Sequence, residues 1–135
     1  MNRLAVALVI TFSAFAQRAA NPARLVFCRD TNYNGTAIHA SIKIDSDKVT
    51  HKLRNDQYWA TEVSAGDHFI FGDERESGKT YTIEAGKTYY FQVQSSYPEG
   101  FRAAIFGGKL RFLVIPVTTD IAKVEMTGLK PDVAK

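Results

Sequence analysis

Thr36-Ala37-Ile38-His39-Ala40-Ser41-Ile42-Lys43-Ile44 decides the fold class. Ile38, Ala40, Ile42 and Ile44 are apolar, and His39, Ser41 and Lys43 between them are polar. Successive side chains of a strand point to opposite faces, so this stretch predicts a strand with one face buried and one wet. Asp45-Ser46-Asp47 then supplies short polar side chains that can bond their own backbone in a turn. Residues 48–53 return as the partner strand, and the whole reads as a β-hairpin.

The same pattern spreads outward in both directions. Asn55-Asp56 opens a strand over residues 58–63, and Ala65-Gly66-Asp67 turns into another over 68–72, followed by the charged loop 73–78. Residues 80–84 and 88–95 read as a further hairpin around Ala85-Gly86-Lys87, with Tyr81, Ile83, Tyr89, Phe91 and Val93 as core. Two stretches resemble each other, residues 63–69 and 83–89. Each carries Ala-Gly at a bend, as two equivalent corners of one sandwich would, since glycine supplies the positive φ that such bends demand. Upstream, Leu25-Val26-Phe27-Cys28 is a strand beginning near Arg24. Downstream, residues 101–106 are strand-like, and residues 109–115 alternate with Leu110, Phe112 and Val114 on one face. Thr119-Asp120 before Ile121, Val124 and Met126, with Gly128 after them, has the cap, spacing and stop of a short helix, expected to lie against the sheet or its edge. The expected fold is therefore mainly β: a single antiparallel β-sandwich of about seven to eight strands over residues 24–129, with a short C-terminal helix. Residues 130–135 are expected to fray.

The amino-terminal end has a different character. Met1-Asn2-Arg3, a short apolar run, and small residues Ala14 and Ala16 form the three parts of a secretory signal peptide, expected to be helical and cleaved after Ala16. Its apolar stretch is shorter than the roughly 20 residues that a membrane-crossing helix needs. Cleavage takes 16 of the 135 residues, leaving 119, and removes Arg3, which lowers the net charge from +3 to +2. Residues 17–23 suit a flexible leader. Acids and bases are interspersed, which argues against a nucleic-acid partner, because phosphate backbones require clustered Lys and Arg. Cys28 is the single cysteine, so no intramolecular disulfide can form. Alternation places it on one face with Val26, as a small packed thiol or, alternatively, as a reactive or intermolecular cysteine.

These residues, in order, also carry a family resemblance. Ala23-Arg24-Leu25-Val26-Phe27, then Ile42-Lys43-Ile44-Asp45 with Val49 and Leu53, then Tyr58-Trp59, Ala65-Gly66-Asp67-His68 and Glu84-Ala85-Gly86-Lys87-Thr88-Tyr89-Tyr90, resemble the bacterial domain of unknown function DUF2846. The resemblance implies a small β-sandwich, similar to PEGA or transthyretin-like domains, in exported and often lipid-anchored proteins. The chain departs from that pattern in lacking a lipid-attachment cysteine, in Ala65 for the usual proline, and in Ser46-Asp47 for an Asp-Gly type hairpin. The first departure implies a soluble periplasmic or secreted form. The resemblance brings no catalytic residues.

No constellation in the chain spells out catalysis. His39, His51 and His68 are scattered, whereas a catalytic zinc needs three protein ligands at close range. Asp45, Asp47, Asp73, Glu74 and Glu76 lie in turns without the loop of defined shape that calcium takes. No Gly-x-Ser-x-Gly occurs, and Gly107-Gly108-Lys109 lacks the rest of a phosphate loop. No catalytic, cofactor or metal residues are assigned. The aromatic residues are the remaining candidates: Trp59, Tyr90 and Tyr97, for a ligand or partner, if the faces they occupy are open. Tyr58 and Trp59 cannot both face inward on a regular strand. The leading expectation is an exported, non-enzymatic module that contacts an envelope or extracellular protein. The alternatives are a binding protein for a glycan or small polar ligand, with Trp59, Tyr90 and Tyr97 as stacking groups, and a metal-dependent envelope hydrolase.

Overall fold

The computed structural model describes residues 21–29, 39–96 and 110–132. The expected signal segment, Ala14 and Ala16, Ile38, Tyr97 and the strand-like residues 101–106 lie outside them. Among the described residues, nine strands form two sheets packed face to face. The first sheet holds β1 (Ala23–Arg29), β4 (Gln57–Val63), β7 (Thr88–Ser96), β8 (Arg111–Val117) and β9 (Lys130–Pro131), in the order β8-β7-β1-β4-β9. The second holds β2 (Ala40–Ile44), β3 (His51–Leu53), β5 (Gly66–Phe71) and β6 (Lys79–Ile83), in the order β3-β2-β5-β6. The helix α1 (Thr119–Met126) follows β8.

The alternation seen in the sequence builds the core between the sheets. Leu25, Phe27, Phe91, Val93, Phe112 and Val114 from the first sheet meet Ala40, Ile42, Leu53, Ile70 and Ile83 from the second, with Ile44, Tyr81 and Tyr89 packed against them. The hairpin of β2 and β3 forms as expected, with Ala40 opposite Leu53 and Ile42 opposite His51.

Several expectations are corrected. The first sheet is mixed rather than antiparallel: β1 runs antiparallel to β4 but parallel to β7, and β9 runs parallel to β4. The first described strand is inserted between two later strands of opposite direction, so one of its two pairings must be parallel. Residues 80–95 do not form a hairpin. β6 pairs with β5 in one sheet and β7 with β1 and β8 in the other, so Ala85-Gly86 is a crossing between sheets. Ala65-Gly66 makes the equivalent crossing from β4 to β5. The two corners lie side by side, with Gly66 opposite Ile83. The leader is tied down at its end, where the Gly86 N–H donates to the Pro22 carbonyl (3.2 Å) and Ala23 is buried in β1. At the other end, Lys130 and Pro131 form β9 instead of fraying. Lys130 N–H donates to the Asp56 carbonyl (2.9 Å) and Asp132 N–H to the Tyr58 carbonyl (2.7 Å), bonds that do not depend on apolar side chains.

The helix forms where expected, but it is capped by Thr118, whose hydroxyl accepts from the Ile121 N–H (3.4 Å). It docks through Ala122, which is fully buried, whereas Ile121 and Val124 are 49% and 75% exposed. Its contacts are with β1 and β7, so it covers the outer face of the first sheet.

Gly66 has φ +130° and Gly86 has φ +74°. An L-residue enters the left-handed region near +74° at a cost of about 1–2 kcal/mol, and is excluded more strongly near +130°. Gly86→Ala should therefore lower the free energy of unfolding by about 1–2 kcal/mol and Gly66→Ala by more, measured by urea denaturation.

Candidate functional site

The aromatic candidates are built into the sandwich to different degrees. Trp59 sits on the inner face of β4, half-buried and packed against the core. Its ring stacks on Phe27 (centroids 5.6 Å apart) and on His51 (4.2 Å, planes within 8°). It is thus an internal ring, and a sugar stacking on it would compete with His51. Tyr58 is on the opposite face of β4, beside Cys28 of β1, as strand geometry requires. Tyr90 is half-buried on the outer face of β7, in register with Val26 and Val117. Trp59 and Tyr90 lie on opposite faces of one sheet, and the structure does not bring them together.

The histidines go to separate places. His39 is exposed. His51 Nε2 donates to Asp132 Oδ2 at 2.6 Å, with both side chains less than a fifth exposed, so it holds the end of β9 against the ring stack. His68 lies at the β4–β5 corner, with Nδ1 2.5 Å from Asp45 Oδ2. Among the described residues, no group of three or more His, Cys, Asp or Glu is placed to hold a metal ion. The loop carboxylates are used structurally. Asp73 accepts from the Phe112 N–H (2.7 Å), Glu74 pairs with Arg111, and Asp47 pairs with Arg75 (3.0 Å).

Cys28 is buried beneath α1, its thiol directed at the Phe91 carbonyl (3.3 Å) and Glu125 Oε2 (3.6 Å). Gln92 donates to the other Glu125 oxygen (2.5 Å), which explains how a helix with a polar underside docks on this sheet. Burial, followed by the negative charge and hydrogen bond of Glu125, pushes the Cys28 thiol up to about 12. It is a packed thiol rather than a reactive or intermolecular cysteine, because both of those need access and a nucleophile needs a lowered value.

Sequence reasoning missed Arg29. It is 1% exposed, donates from Nη1 to the Leu53 carbonyl (2.9 Å), and lays its guanidinium 4.3 Å over the Phe112 ring. Extending the alternation Leu25, Phe27, Arg29 would have placed it inward. It bridges the two sheets.

The arrangement best suited to binding is the outer edge of β4 beyond Tyr58, where no described strand pairs. Because the Tyr58 carbonyl accepts from Asp132, the Tyr58 backbone faces away from β1. Backbone polar groups alternate sides along a strand, so the N–H and C=O groups of Ala60 and Glu62 face the same way. Among the described residues, β9 pairs only with Gln57 and Tyr58, and no strand continues beside Ala60 and Glu62. A depression of about 230 Å³ lined by Arg24, Ala60, Thr61 and Glu62 adjoins this edge. Arg24 and Glu62 are register partners across β1 and β4, so the depression carries one charge of each sign. No helix among the described residues is long and apolar enough to cross a membrane.

Among the described residues, the fold is a two-sheet β-sandwich in whose larger sheet β4 has no partner beyond Tyr58 on its outer side. Comparisons with protein families, curated proteins and solved structures gave no match.

Two outcomes check the site chemistry. Cys28 should resist alkylation in the folded protein even at mildly alkaline pH and react at once after denaturation, as followed by mass spectrometry. Asp132→Ala should cost about 0.5–1.5 kcal/mol, the value of one hydrogen bond, and speed hydrogen exchange first in β9.

Proposed function

We propose that the protein is an exported, non-enzymatic β-sandwich module of the bacterial envelope or the space outside it, which binds a partner protein by accepting an extended segment along β4. The backbone of Ala60 and Glu62, beside which no described strand lies, is the observation that carries this reading, since an unpaired strand edge is a template for a further strand. The adjoining depression supports it by offering a polar recess, with Arg24 on one side and Glu62 on the other, to a side chain of the added strand. The signal-like residues 1–16 and the DUF2846 resemblance support the export half of the proposal. The lack of a cysteine directly after the apolar run supports a form without a lipid anchor.

In-cell crosslinking of the tagged full chain should recover one dominant envelope partner, and the recovered protein should begin at Gln17. Ala60→Pro separates binding from folding: it removes an outward-facing N–H and crowds an incoming strand, while the ladder to β1 runs through Trp59 and Thr61. Ala60→Pro should abolish capture with little change in the thermal midpoint. Capture that survives in the folded variant, or the absence of any reproducible partner, would overturn the proposal.

A further inference from the structure

Where β4 crosses to β5, one histidine touches two groups that can only accept. His68 Nδ1 lies 2.5 Å from Asp45 Oδ2, and Nε2 lies 2.6 Å from the Ser64 carbonyl oxygen. A neutral imidazole carries one N–H and can satisfy only one of them. The missing proton does not come from Asp45. Partial burial favours the protonated acid there, but the His68 hydrogen bond, the Phe69 N–H (2.8 Å) and the charge of His68 outweigh it and hold this carboxyl below its ordinary value of 3.8. Both bonds therefore require the imidazolium.

We infer that His68 is a cationic clamp tying the β4–β5 corner to the turn after β2, and that loss of its proton releases the corner at Ser64. The groups acting on His68 suit a cation. Asp45 reaches it from the turn after β2, Asp67 precedes it in β5 and is itself held by the Thr82 hydroxyl (2.8 Å), and Tyr81 lies across from it on β6. Burial pushes the Tyr81 hydroxyl up, so it stays uncharged. Burial also works against the charge on His68. The Asp45 bond, the Ser64 bond and the negative charges of Asp45 and Asp67 outweigh it, and the net direction is up from 6.5. The His68 side chain is only 11% exposed, so water is a poor substitute for a lost partner.

The sign follows. With its folded value raised, His68 contributes its full stabilisation below 6.5 and loses it as pH rises through the raised value. With its folded value lowered, Asp45 contributes above 3.8 and loses its share as pH falls through the lowered value. The clamp is closed between those limits. Above the upper one, the remaining N–H stays with the carboxylate, the stronger acceptor, and the bare Nε2 faces the Ser64 oxygen lone pair to lone pair. The release point is thus the residue that follows β4, not the turn that holds Asp45.

Imidazole ¹⁵N shifts of the full chain, titrated from about pH 5 to about pH 9, test this directly. His68 should be doubly protonated at the acid end, with a midpoint above 6.5. Over the same range, protection factors at residues 64–67, corrected for base-catalysed exchange, should fall while those of β1 hold. Asp45→Asn should lower the midpoint and weaken the change at the corner. A neutral His68 tautomer at the acid end, a midpoint at or below 6.5, or protection at the corner that does not follow the titration would each overturn the inference. The wild-type titration decides the matter even if the variant does not fold.

Discussion

A row of rings running through the centre of the sandwich determines how the two sheets sit. Trp59, Phe27 and Phe91 occupy matching positions on β4, β1 and β7, with centroids 5.6 and 5.2 Å apart. The row is closed at both ends by residues of the opposite sheet: His51 of β3 stacks on Trp59, and Tyr81 of β6 meets Phe91 edge-on at 5.2 Å. Stacked and edge-on contacts both suit the charge distribution of aromatic rings, and each adds about 0.5–1.5 kcal/mol beyond burial. Because the row begins and ends in the second sheet, a register slip in any of these strands would break it. The same slip would turn every buried side chain of that strand outward.

The ends of this row lead to the parts of the protein with polar chemistry. Beyond His51 lies Asp132, so the core holds the last described strand in place. Tyr81 faces His68 across β5 and β6, so the corner that carries the cationic clamp rests on the same stack. Two further charged groups act as fasteners. Arg29 joins β1 to β3 inside the core, and Asp73 joins the loop after β5 to β8.

Much of this was readable from residue order wherever the information is local. Ala40, Ile42 and Ile44, or Phe112 and Val114, announce a buried face because alternation is a property of neighbours. The glycines at 66 and 86 announce bends for the same reason. What those bends connect was not readable, since a positive φ serves a hairpin and a crossing between sheets equally well. The parallel pairing of β1 with β7 depends on contacts between distant residues, and β9 depends on backbone bonds to which Lys130-Pro131-Asp132 gives no apolar signal. Among the site residues, the phase of one strand decided the roles of Tyr58 and Trp59. Residue order says that they part company, but not which of them turns inward. His68 was legible as a turn histidine, and its two acceptors became visible only when Asp45, 23 residues earlier, was folded against it.

The placement of β1 has a consequence for the order of assembly. It is the central strand of its sheet, yet every partner it has is remote: Phe27 meets Trp59 after 32 residues of chain and Phe91 after 64. Closing such long segments carries an entropic cost that must be met before any contact repays it. The pairs β2–β3 and β5–β6, each made of strands that follow one another along the chain, can therefore form while β1 still waits for a partner. A polypeptide emerging from its amino-terminal end would offer β1 its first partner in β4 and its second only when β7 is available, and the larger sheet would be complete only once β8 and β9 have followed.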